Sequence, residues 1–401
     1  MQIGRQFGTG AVEYNRAQES VLKSTNRRQF FTGAAAAAGA FTIVAPQSVR
    51  GSQANSSIAV GLIGCGGRGS YDASIVHADP RAKVMALCDK YPDQFDKSET
   101  TIKSQNTRKF TDFETLLAAP DIDAVFIVTP PFEHPRMLEA AIQSKKHIYC
   151  EKPIGVDVPG VKRAMAAAKK ADKTKTIAVG FQQRYGPEYL EAYKRIKAGE
   201  IGDLANARAS WIANDPFTRK PYPDAATEKL RNWFCYHELS GDIIVEQDCH
   251  NLDVLHWFLG GLPVSAIGRG NKKVRKDMDI LDNLNVIYQW PNEFIVNFEA
   301  NQLTPRGFNR IGEEFTGTKG TIATSRARMT HYKGPGKVDD MPTKRDITID
   351  SIEAFLARIV NNDPENAVER SALSTCIAIL GRTAVYTGRE ATWKGDIGIA
   401  V

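Results

Sequence analysis

The sequence has no closely spaced cysteine pairs. Its six cysteines are spread over 401 residues without a C-x-x-C spacing, which argues against both a disulfide scaffold and a zinc knuckle. Cys65, Cys88 and Cys150 lie at or beside the ends of predicted core strands, so we expect them to be buried thiols. The sequence neither predicts nor excludes a disulfide between Cys235 and Cys249, because sequence alone does not show whether they meet.

The sequence also has no membrane-spanning run and little excess charge. The weakly apolar run from Thr32 to Ala45 is too short and mild to span a bilayer, so we expect no integral span in the mature chain. Residues 1–54 hold six Lys or Arg against two Glu, which accounts for +4 of the net charge of +6. The remaining +2 does not imply a nucleic-acid partner.

The first 54 residues have the pattern of an export signal. Arg27 and Arg28 precede the apolar run, and Ser52 and Ala54 are small residues that offer a cleavage point before Asn55. This segment resembles a twin-arginine signal, which predicts a periplasmic or otherwise exported protein that uses the twin-arginine export machinery. A disordered basic tail with a chance arginine pair is the alternative.

The chain is longer than one hydrophobic core usually supports, so we expect an α/β protein with two domains. Residues 55–180 alternate short apolar runs with helical patterns, which predicts a parallel sheet covered on both faces. The strands predicted there are Ile58 to Ile63, Lys83 to Cys88, Ala124 to Val128, His147 to Cys150 and Thr176 to Gly180.

Residues 181–401 show a different period. Apolar residues alternate with polar ones on both sides of a Pro291-Asn292 turn, which predicts a hairpin in an open, largely antiparallel sheet of an α+β domain. The open face of that sheet is a candidate interface in a homodimer or homotetramer. We expect a loop from Thr330 to Lys344 and helices from Ser351 to Asn361 and from Ser371 to Thr387. The sequence leaves open whether those helices pack back on the first domain.

A glycine-rich turn follows the first predicted strand. Gly64, Gly66 and Gly69 form a G-x-G-x-x-G pattern, completed by Cys65, Gly67 and Arg68. In this context the first glycine permits a tight turn, the second lets a pyrophosphate approach the backbone, and the third lets the next helix pack on the strand. The pattern predicts a dinucleotide-binding fingerprint. A glycine turn without a ligand is the alternative.

Asp89 closes the second predicted strand, 25 residues after Gly64. A carboxylate at this position accepts hydrogen bonds from the adenosine ribose and repels a 2′-phosphate, so NAD is favoured over NADP. Lys90 and Arg68 are expected close enough to Asp89 to keep NADP open.

Lys152 follows a predicted parallel strand at its carboxyl end, where open α/β sheets bind their ligands. An ammonium at this position is suited to bind a substrate oxygen and stabilise developing alkoxide charge. An ion pair with Glu151 on an exposed loop is the alternative.

A second polar group lies in the second domain. On one continuous helix Glu246, His250 and Asp253 fall at i, i+4 and i+7, so a carboxylate would orient an imidazole that acts as a base. A solvated helix face is one alternative. A metal site from Glu246, His250 and His237 or Asp253 is the other, disfavoured because an H-E-x-x-H motif is missing.

Three further groups are candidates for ligand contact. Thr129, Pro130 and His134 follow a parallel strand, where they are placed to line the nicotinamide side of the crevice. Arg184 and Tyr185 follow another strand, and a surface ion pair is an equal alternative for Arg184. The residues Trp233, Tyr236 and His237 form an aromatic and polar cluster suited to a sugar ring, although core aromatics look the same in sequence.

Taken in order, these motifs resemble the Gfo/Idh/MocA oxidoreductase family from about Ile58 to the C-terminal helices. The resemblance implies a Rossmann domain followed by an α/β domain with an open sheet, and it implies Lys152 and His250 as catalytic residues. Relatives commonly have an aspartate where this chain has Glu246. The resulting set of cofactor-contacting residues is Gly64, Cys65, Gly66, Gly67, Arg68, Gly69, Asp89, Thr129, Pro130, His134, Glu151 and Lys152.

The sequence therefore predicts an exported oxidoreductase with tightly bound NAD, acting on a hydroxyl or keto carbon of a sugar, glycoside or polyol. The first alternative is a glycosidase-like enzyme that oxidises a sugar transiently and eliminates the aglycone. The second is a non-catalytic, nucleotide-bound sugar sensor, which would not need both Lys152 and His250.

Overall fold

The computed structural model describes residues 57–400. The predicted export signal in residues 1–54 lies outside this part of the chain. Within it, the chain forms two β-sheets with helices packed against them. None of the helices described is both long and apolar enough to cross a membrane.

The first sheet contains six parallel strands in the order β3-β2-β1-β4-β5-β6. This is the strand order of a dinucleotide-binding Rossmann fold, in which the direction of winding reverses between β1 and β4. The strands are β1 Ile58–Ile63, β2 Ala82–Cys88, β3 Arg108–Phe110, β4 Ala124–Ile127, β5 His147–Cys150 and β6 Ile177–Val179. The helices that accompany them are α1 Gly67–Ala78, α2 Asp93–Ile102, α3 Phe113–Leu117, α4 His134–Gln143 and α5 Val158–Ala168.

Five of these six strands are predicted by their apolar runs. The sixth, β3, is three residues long at the sheet edge, and its exposed Arg108 and Lys109 give no apolar signal. Short edge strands with charged side chains are a common way to keep a sheet from pairing with another chain.

The second sheet has nine strands in the order β14-β13-β12-β11-β7-β10-β9-β8-β15. Only the β7–β10 pair is parallel, so the prediction of a largely antiparallel sheet is confirmed. The strands are β7 Leu204–Ile212, β8 Ser265–Asn271, β9 Asn283–Gln289, β10 Ile295–Asn301, β11 Arg310–Gly317, β12 Thr321–Ser325, β13 Arg328–Gly334, β14 Lys337–Pro342 and β15 Ala391–Thr392. The later helices are α6 Pro187–Lys197, α7 Ala225–Arg231, α8 His237–Ser240, α9 Ile243–Glu246, α10 Cys249–Leu259, α11 Ile347–Val360 and α12 Val368–Thr387.

The prediction of a loop from Thr330 to Lys344 is wrong. This segment belongs to the β13–β14 hairpin, in which Thr330 pairs with Asp340 across the two strands. Gly334 and Gly336 have φ angles of 128° and 67°, so these glycines form the turn. Lys337, Asp339 and Asp340 lie on β14 at the sheet edge, where charge is favourable.

The two faces of the second sheet differ. Its inner face buries Tyr288, Phe298 and Phe315 against α10 and α12. Its outer face carries exposed Ile267 and Ile287, which are directly paired neighbours on β8 and β9.

The two C-terminal helices contact the first domain. Phe355 of α11 packs edge-on against Phe126 of β4, with ring centres 5.5 Å apart, and the Tyr149 hydroxyl is 3.0 Å from Ser351 Oγ. Helix α12 packs between α5 of the first domain and α10 of the second. Residues at the end of the chain therefore complete the core around the first sheet.

All six cysteines are free and buried. The expectation of buried thiols at Cys65, Cys88 and Cys150 is confirmed. Cys235 and Cys249 form no disulfide, so burial alone accounts for them.

Candidate active site

A cavity of about 1110 Å³ lies at the carboxyl ends of the first sheet, facing the second domain. The first domain lines it with the glycine turn and with the segments after β2, β4 and β5. The second domain lines it with side chains from several separate elements, including Trp211, His250 and Arg326. Ligands of doubly wound α/β proteins bind at this edge of the sheet, where the winding reverses.

The glycine turn has the geometry that a diphosphate requires. Gly64 has a φ of 98°, and a side chain there would overlap the Val128 carbonyl. A side chain at Gly69 would overlap the Gly64 carbonyl oxygen, so both glycines are needed for the turn. At Gly66, by contrast, a Cβ would meet no atom within 4 Å. This open space lies at the N-terminus of α1, whose free N–H groups favour an anion.

Asp89 is held at the cavity wall by backbone N–H groups. Its carboxylate accepts hydrogen bonds from the N–H groups of Cys65 and Tyr91, each at 2.8 Å. Burial raises the pKa of Asp89, and these two hydrogen bonds oppose that effect. Each oxygen accepts one bond from the backbone and keeps a lone pair for a ribose hydroxyl. The turn and Asp89 thus fit the diphosphate and adenosine ribose of NAD.

Glu151 ties the start of α1 to the end of β5. Its Oε1 accepts a hydrogen bond of 2.8 Å from Arg68 Nη2, and its Oε2 accepts one of 3.1 Å from the Lys152 N–H. A side chain at Gly180 would come within 2.6 Å of the Glu151 carboxyl carbon, so that glycine makes room for it. Glu151 is buried and positions its neighbours in the cavity wall.

The Lys152 ammonium points away from Glu151, so the predicted alternative of a Glu151–Lys152 ion pair does not hold. Its Nζ donates a hydrogen bond to the Glu246 carbonyl oxygen and lies 3.9 Å from Glu246 Oε2. The side chain is 15% exposed, which leaves the ammonium reachable from the cavity that it lines. The Lys152–Pro153 peptide bond is cis.

His250 lies in an aromatic setting. Its ring is nearly parallel to Trp211, with ring centres 5.9 Å apart, and nearly perpendicular to Phe181, also with ring centres 5.9 Å apart. Burial lowers the pKa of His250 well below its usual value, and the positive charges of Arg326 and Lys152 lower it further. The imidazole is therefore neutral at pH 7 and able to accept a proton. Its Nδ1 is buried without a hydrogen-bond partner within the described chain.

The prediction that Glu246, His250 and Asp253 share one helix is wrong. Helix α9 ends at Glu246 and α10 begins at Cys249, so the chain turns between them. The Glu246 side chain approaches Lys152 rather than His250. Burial raises the pKa of Glu246, and the Lys152 charge opposes this. Glu246 still lines the cavity, as the carboxylate next to the lysine.

Asp253 and Arg184 form a buried pair behind the cavity. Arg184 Nε and Nη2 each approach an Asp253 oxygen at 2.8 Å, and Ser374 donates to the same carboxylate. The ion-pair alternative for Arg184 is therefore the observed one, although the pair is buried rather than exposed. Tyr185, on the same turn, is likewise outside the cavity lining.

The aromatic cluster before α8 is split by the fold. Trp233 lines the cavity, whereas Tyr236 and His237 do not. The Tyr236 hydroxyl donates to Glu228 at 2.5 Å, and the His237 ring packs against Tyr386 with centres 4.6 Å apart. The expectation that Tyr236 and His237 meet a substrate is not supported, because both side chains are engaged in packing.

His134 supports the site from behind. Its Nδ1 lies 2.6 Å from the Pro153 carbonyl oxygen, and its Nε2 lies 2.9 Å from that of Thr129. Thr129, Pro130 and Lys152 line the cavity, whereas His134 and Cys65 lie behind it. His134 therefore joins the segments after β4 and β5. It does not line the crevice, which the sequence pattern had predicted.

Several cavity residues carry no clear signal in the sequence: Tyr91, Trp211, Lys220, Arg231 and Arg326. Trp211 lies on β7. The others lie on turns, on helix ends or in a loop. In residues 57–400 no group of three or more His, Cys, Asp or Glu side chains is arranged to hold a metal ion.

Comparison with known protein families agrees with this geometry. Residues 58–181 match the model described as "Oxidoreductase family, NAD-binding Rossmann fold", and residues 189–323 match the C-terminal domain model of the same GFO/IDH/MocA family. The chain belongs to the Gfo/Idh/MocA oxidoreductase family, and NAD is the cofactor of its Rossmann domain.

Curated relatives include inositol dehydrogenases. The chain is 28% identical to the scyllo-inositol 2-dehydrogenase (NAD(+)) of Bacillus subtilis over 84% of its own length and 91% of that protein. It is 27% identical to an inositol 2-dehydrogenase of Rhizobium meliloti, over 76% and 89% of the two chains.

Solved structures share the fold. The scyllo-inositol dehydrogenase of Lactobacillus casei, solved with NAD(H) and scyllo-inositol, superimposes with a TM-score of 0.69 at 22% identity. A levoglucosan dehydrogenase solved with NADH and levoglucosan gives a TM-score of 0.71 at 19% identity. Both comparisons cover 84% of this chain and 99% of the other.

Proposed function

We propose that this protein is an NAD-dependent dehydrogenase that interconverts a hydroxyl and a keto carbon on a sugar or cyclic polyol. One observation carries the proposal. Lys152 from the first domain and His250 from the second line the same cavity as the glycine turn. The relatives named above are dehydrogenases of such compounds, which supports this reaction class.

Two residues have complementary roles in the proposed reaction. His250 is neutral, so it accepts the hydroxyl proton of the substrate as the carbon–hydrogen bond breaks. Lys152 donates a hydrogen bond to the same oxygen and stabilises the negative charge that develops there. Glu246 positions the Lys152 ammonium through its carbonyl and its carboxylate. Bound NAD supplies the acceptor for the hydride.

We propose that the cofactor is retained between turnovers. Helix α7 of the second domain ends at Arg231, which binds Asp93 of the first domain through two nitrogens at 2.5 and 3.1 Å. The guanidinium also lies over the rings of Tyr91 and Tyr222, at 4.6 and 4.9 Å. All four residues line the cavity on the side of Asp89, where the adenosine would bind. This contact, the Arg231 clasp, would slow cofactor release.

We propose further that the protein is exported and forms a homo-oligomer. The support for export is the twin-arginine-like segment with Arg27 and Arg28. Replacing both arginines by lysine should leave the protein in the cytoplasmic fraction of cells, and unchanged fractionation would contradict export. The support for association is the exposed pair Ile267 and Ile287 on the open sheet. A monomer in sedimentation at micromolar concentration would contradict that proposal.

Purified protein incubated with a panel of sugars and polyols tests the main proposal. We expect the absorbance of reduced nicotinamide to rise with at least one of them, and to stay unchanged in the His250→Gln variant. Release of an aglycone without net NADH would instead indicate the elimination reaction. Wild-type biological activity in a Lys152→Ala, His250→Ala double variant would indicate a sensor. Neither alternative is favoured by the relatives named above.

A further inference from the structure

Arg326 lies at the tip of the β12–β13 hairpin and lines the cavity. The turn that carries it is held in place, because the Ala327 carbonyl accepts a 2.7 Å hydrogen bond from the Thr343 N–H. The Arg326 side chain is exposed to the solvent that fills the cavity. A rigid two-residue turn thus presents a flexible cation to the inside of the site.

Arg326 has no counterion within the described residues. No carboxylate oxygen of residues 57–400 lies within 4.0 Å of its guanidinium, whereas Arg68 and Arg231 in the same cavity each bind a carboxylate. Arg328, two residues along the same hairpin but outside the cavity, binds Asp340 at 2.9 Å. The cavity lining as a whole holds eight Lys or Arg against six Asp or Glu. Its uncompensated charge is therefore positive.

Arg326 lies in the half of the cavity where the substrate would bind. Its guanidinium carbon lies 5.1 Å from the centre of the Trp211 ring, and that ring lies nearly parallel to His250 at 5.9 Å. Its charge also reaches His250, where it helps to keep the imidazole neutral. Trp211 itself is 5% exposed, so its ring supports Arg326 and His250 and offers little surface to a ligand. A sugar that presents a hydroxyl to His250 and a second substituent to Arg326 would therefore be held between these two side chains.

We infer that the substrate is an acidic monosaccharide, a uronic or aldonic acid, whose carboxylate is bound by Arg326 while its hydroxyl is presented to His250. The inference rests on the proposed dehydrogenase function and narrows its substrate class. A guanidinium binds a carboxylate through two parallel hydrogen bonds, which fixes orientation as well as charge. A neutral polyol would leave the arginine without an anionic partner.

Two other anions compete with a carboxylate as the ligand of Arg326. A sugar phosphate offers oxygens that a guanidinium also binds, and the diphosphate of the cofactor is a second anion in the cavity. The experiment therefore compares uronates and aldonates with their neutral parent sugars and with the corresponding sugar phosphates. It also measures the NAD content and affinity of each variant.

The test uses the NAD-loaded wild type, Arg326→Gln, Arg326→Lys and the control Arg328→Gln. Sugar binding is measured by calorimetry or thermal shift, and turnover by NADH formation. We expect the wild type to bind at least one acidic sugar more tightly than its neutral parent. We expect Arg326→Gln to weaken that binding and to lower kcat/KM for acidic sugars about tenfold to a hundredfold, with a much smaller change for neutral sugars. Arg326→Lys should restore part of the loss, and Arg328→Gln should behave as wild type.

Each contrary result has a distinct meaning. Turnover of neutral sugars without preference for acidic ones would overturn the inference and leave the proposed function intact. A preference for sugar phosphates would show that Arg326 binds a phosphate group of the substrate, and a loss of NAD affinity in Arg326→Gln would show that it binds the cofactor. Either result would also overturn the inference. Equal losses with acidic and neutral sugars would indicate a structural role. Binding of acidic sugars without NADH formation from any sugar would contradict the proposed dehydrogenase instead.

Discussion

The two ends of the cavity are built in different ways. At the cofactor end, the main determinants are one glycine turn, one helix N-terminus and Asp89, all within about one βαβ unit of chain. At the substrate end, the second domain contributes Trp211, His250 and Arg326 from three elements far apart in sequence. The cofactor end uses backbone geometry, whereas the substrate end uses side chains.

This difference bears on which positions of the site accept substitutions without disturbing the fold. Backbone geometry at the glycine turn tolerates few side chains, so its ligand is fixed by the turn itself. Single side chains on strand ends and hairpin tips change without disturbing the sheet. The charge and size of the substrate therefore depend on residues such as Arg326, and cofactor binding depends on the turn.

Substitutions in the glycine turn should have the largest effects, and they separate the fold from cofactor binding. Gly69→Ala should destabilise the protein, because the new Cβ overlaps the Gly64 carbonyl. Gly66→Val meets no protein atom within 4 Å at Cβ, and the extended backbone there suits any residue. We expect Gly66→Val to unfold at the same temperature as wild type from which NAD has been stripped, and to lose NAD binding. Nucleotide content and thermal melting measure both, and retained NAD in Gly66→Val would contradict the assigned diphosphate position.

At the substrate end, His250→Gln should reduce kcat by about 10²- to 10⁴-fold while NAD remains bound. The lowered pKa of His250 predicts that kcat/KM stays flat as the pH falls through 6.5, because the base remains unprotonated there. Phe181→Leu, which changes the ring packed against His250, is a control expected to keep most of the activity. A decline in kcat/KM with an apparent pKa near 6.5 would contradict the burial argument.

The Arg231 clasp joins the two domains at the cofactor end, and its loss should have an intermediate effect. Arg231→Ala removes a two-point ion pair and two ring contacts, so we expect faster NAD dissociation by about tenfold, with little change in kcat. Stopped-flow displacement of bound NADH measures the rate. Lys229→Ala, on the same helix but outside the cavity lining, is the matched control. Equal rates in the wild type and Arg231→Ala would show that the clasp does not retain the cofactor.

Acid should lower the stability of the folded protein through its buried histidines, and His147 and His256 provide one test position in each domain. Burial lowers the pKa of His147 in β5 and of His256 in α10 to about 4. The unfolded chain gains these protons near pH 6.5 and the folded protein only near pH 4, so stability is full above pH 6.5 and falls between those values. The loss is up to about 1.4 kcal/mol per pH unit per histidine.

Urea unfolding from pH 7.5 to 4.5 measures this dependence. His147→Gln and His256→Gln should each flatten the slope, whatever their effect on stability at pH 7.5. A slope unchanged in both variants would assign the acid sensitivity to other groups.

The sequence predicts the cofactor end of the cavity better than the substrate end. The bounds of β1 and β5 were predicted to the residue, because a buried parallel strand is a short apolar run between turn signals. The β9–β10 hairpin was predicted because alternation and a Pro-Asn turn are local. The break between α9 and α10 was not predicted, since the helical pattern of the sequence continues through Gln247, where the structure has a turn.

The substrate end is the part that sequence reasoning could not assemble. Arg326 lies in a two-residue turn with no periodic signal, and its approach to Trp211 depends on how the strands between them pair. For Arg184 the sequence predicted a contact that the structure does not have. Its position after a strand suggested a ligand contact, but its side chain binds Asp253. Long-range contacts of this kind are set by sheet topology, which local patterns do not specify.

The central claim is that Lys152 and His250 act on one substrate carbon next to bound NAD. Single-turnover reduction of the bound cofactor, measured with the wild type, Lys152→Met and His250→Gln on the most active sugar of the panel, tests it most directly. We predict reduction in the wild type and a loss of at least about 10²-fold in rate in both variants, each still carrying NAD. Reduction at the wild-type rate in either variant would contradict the account.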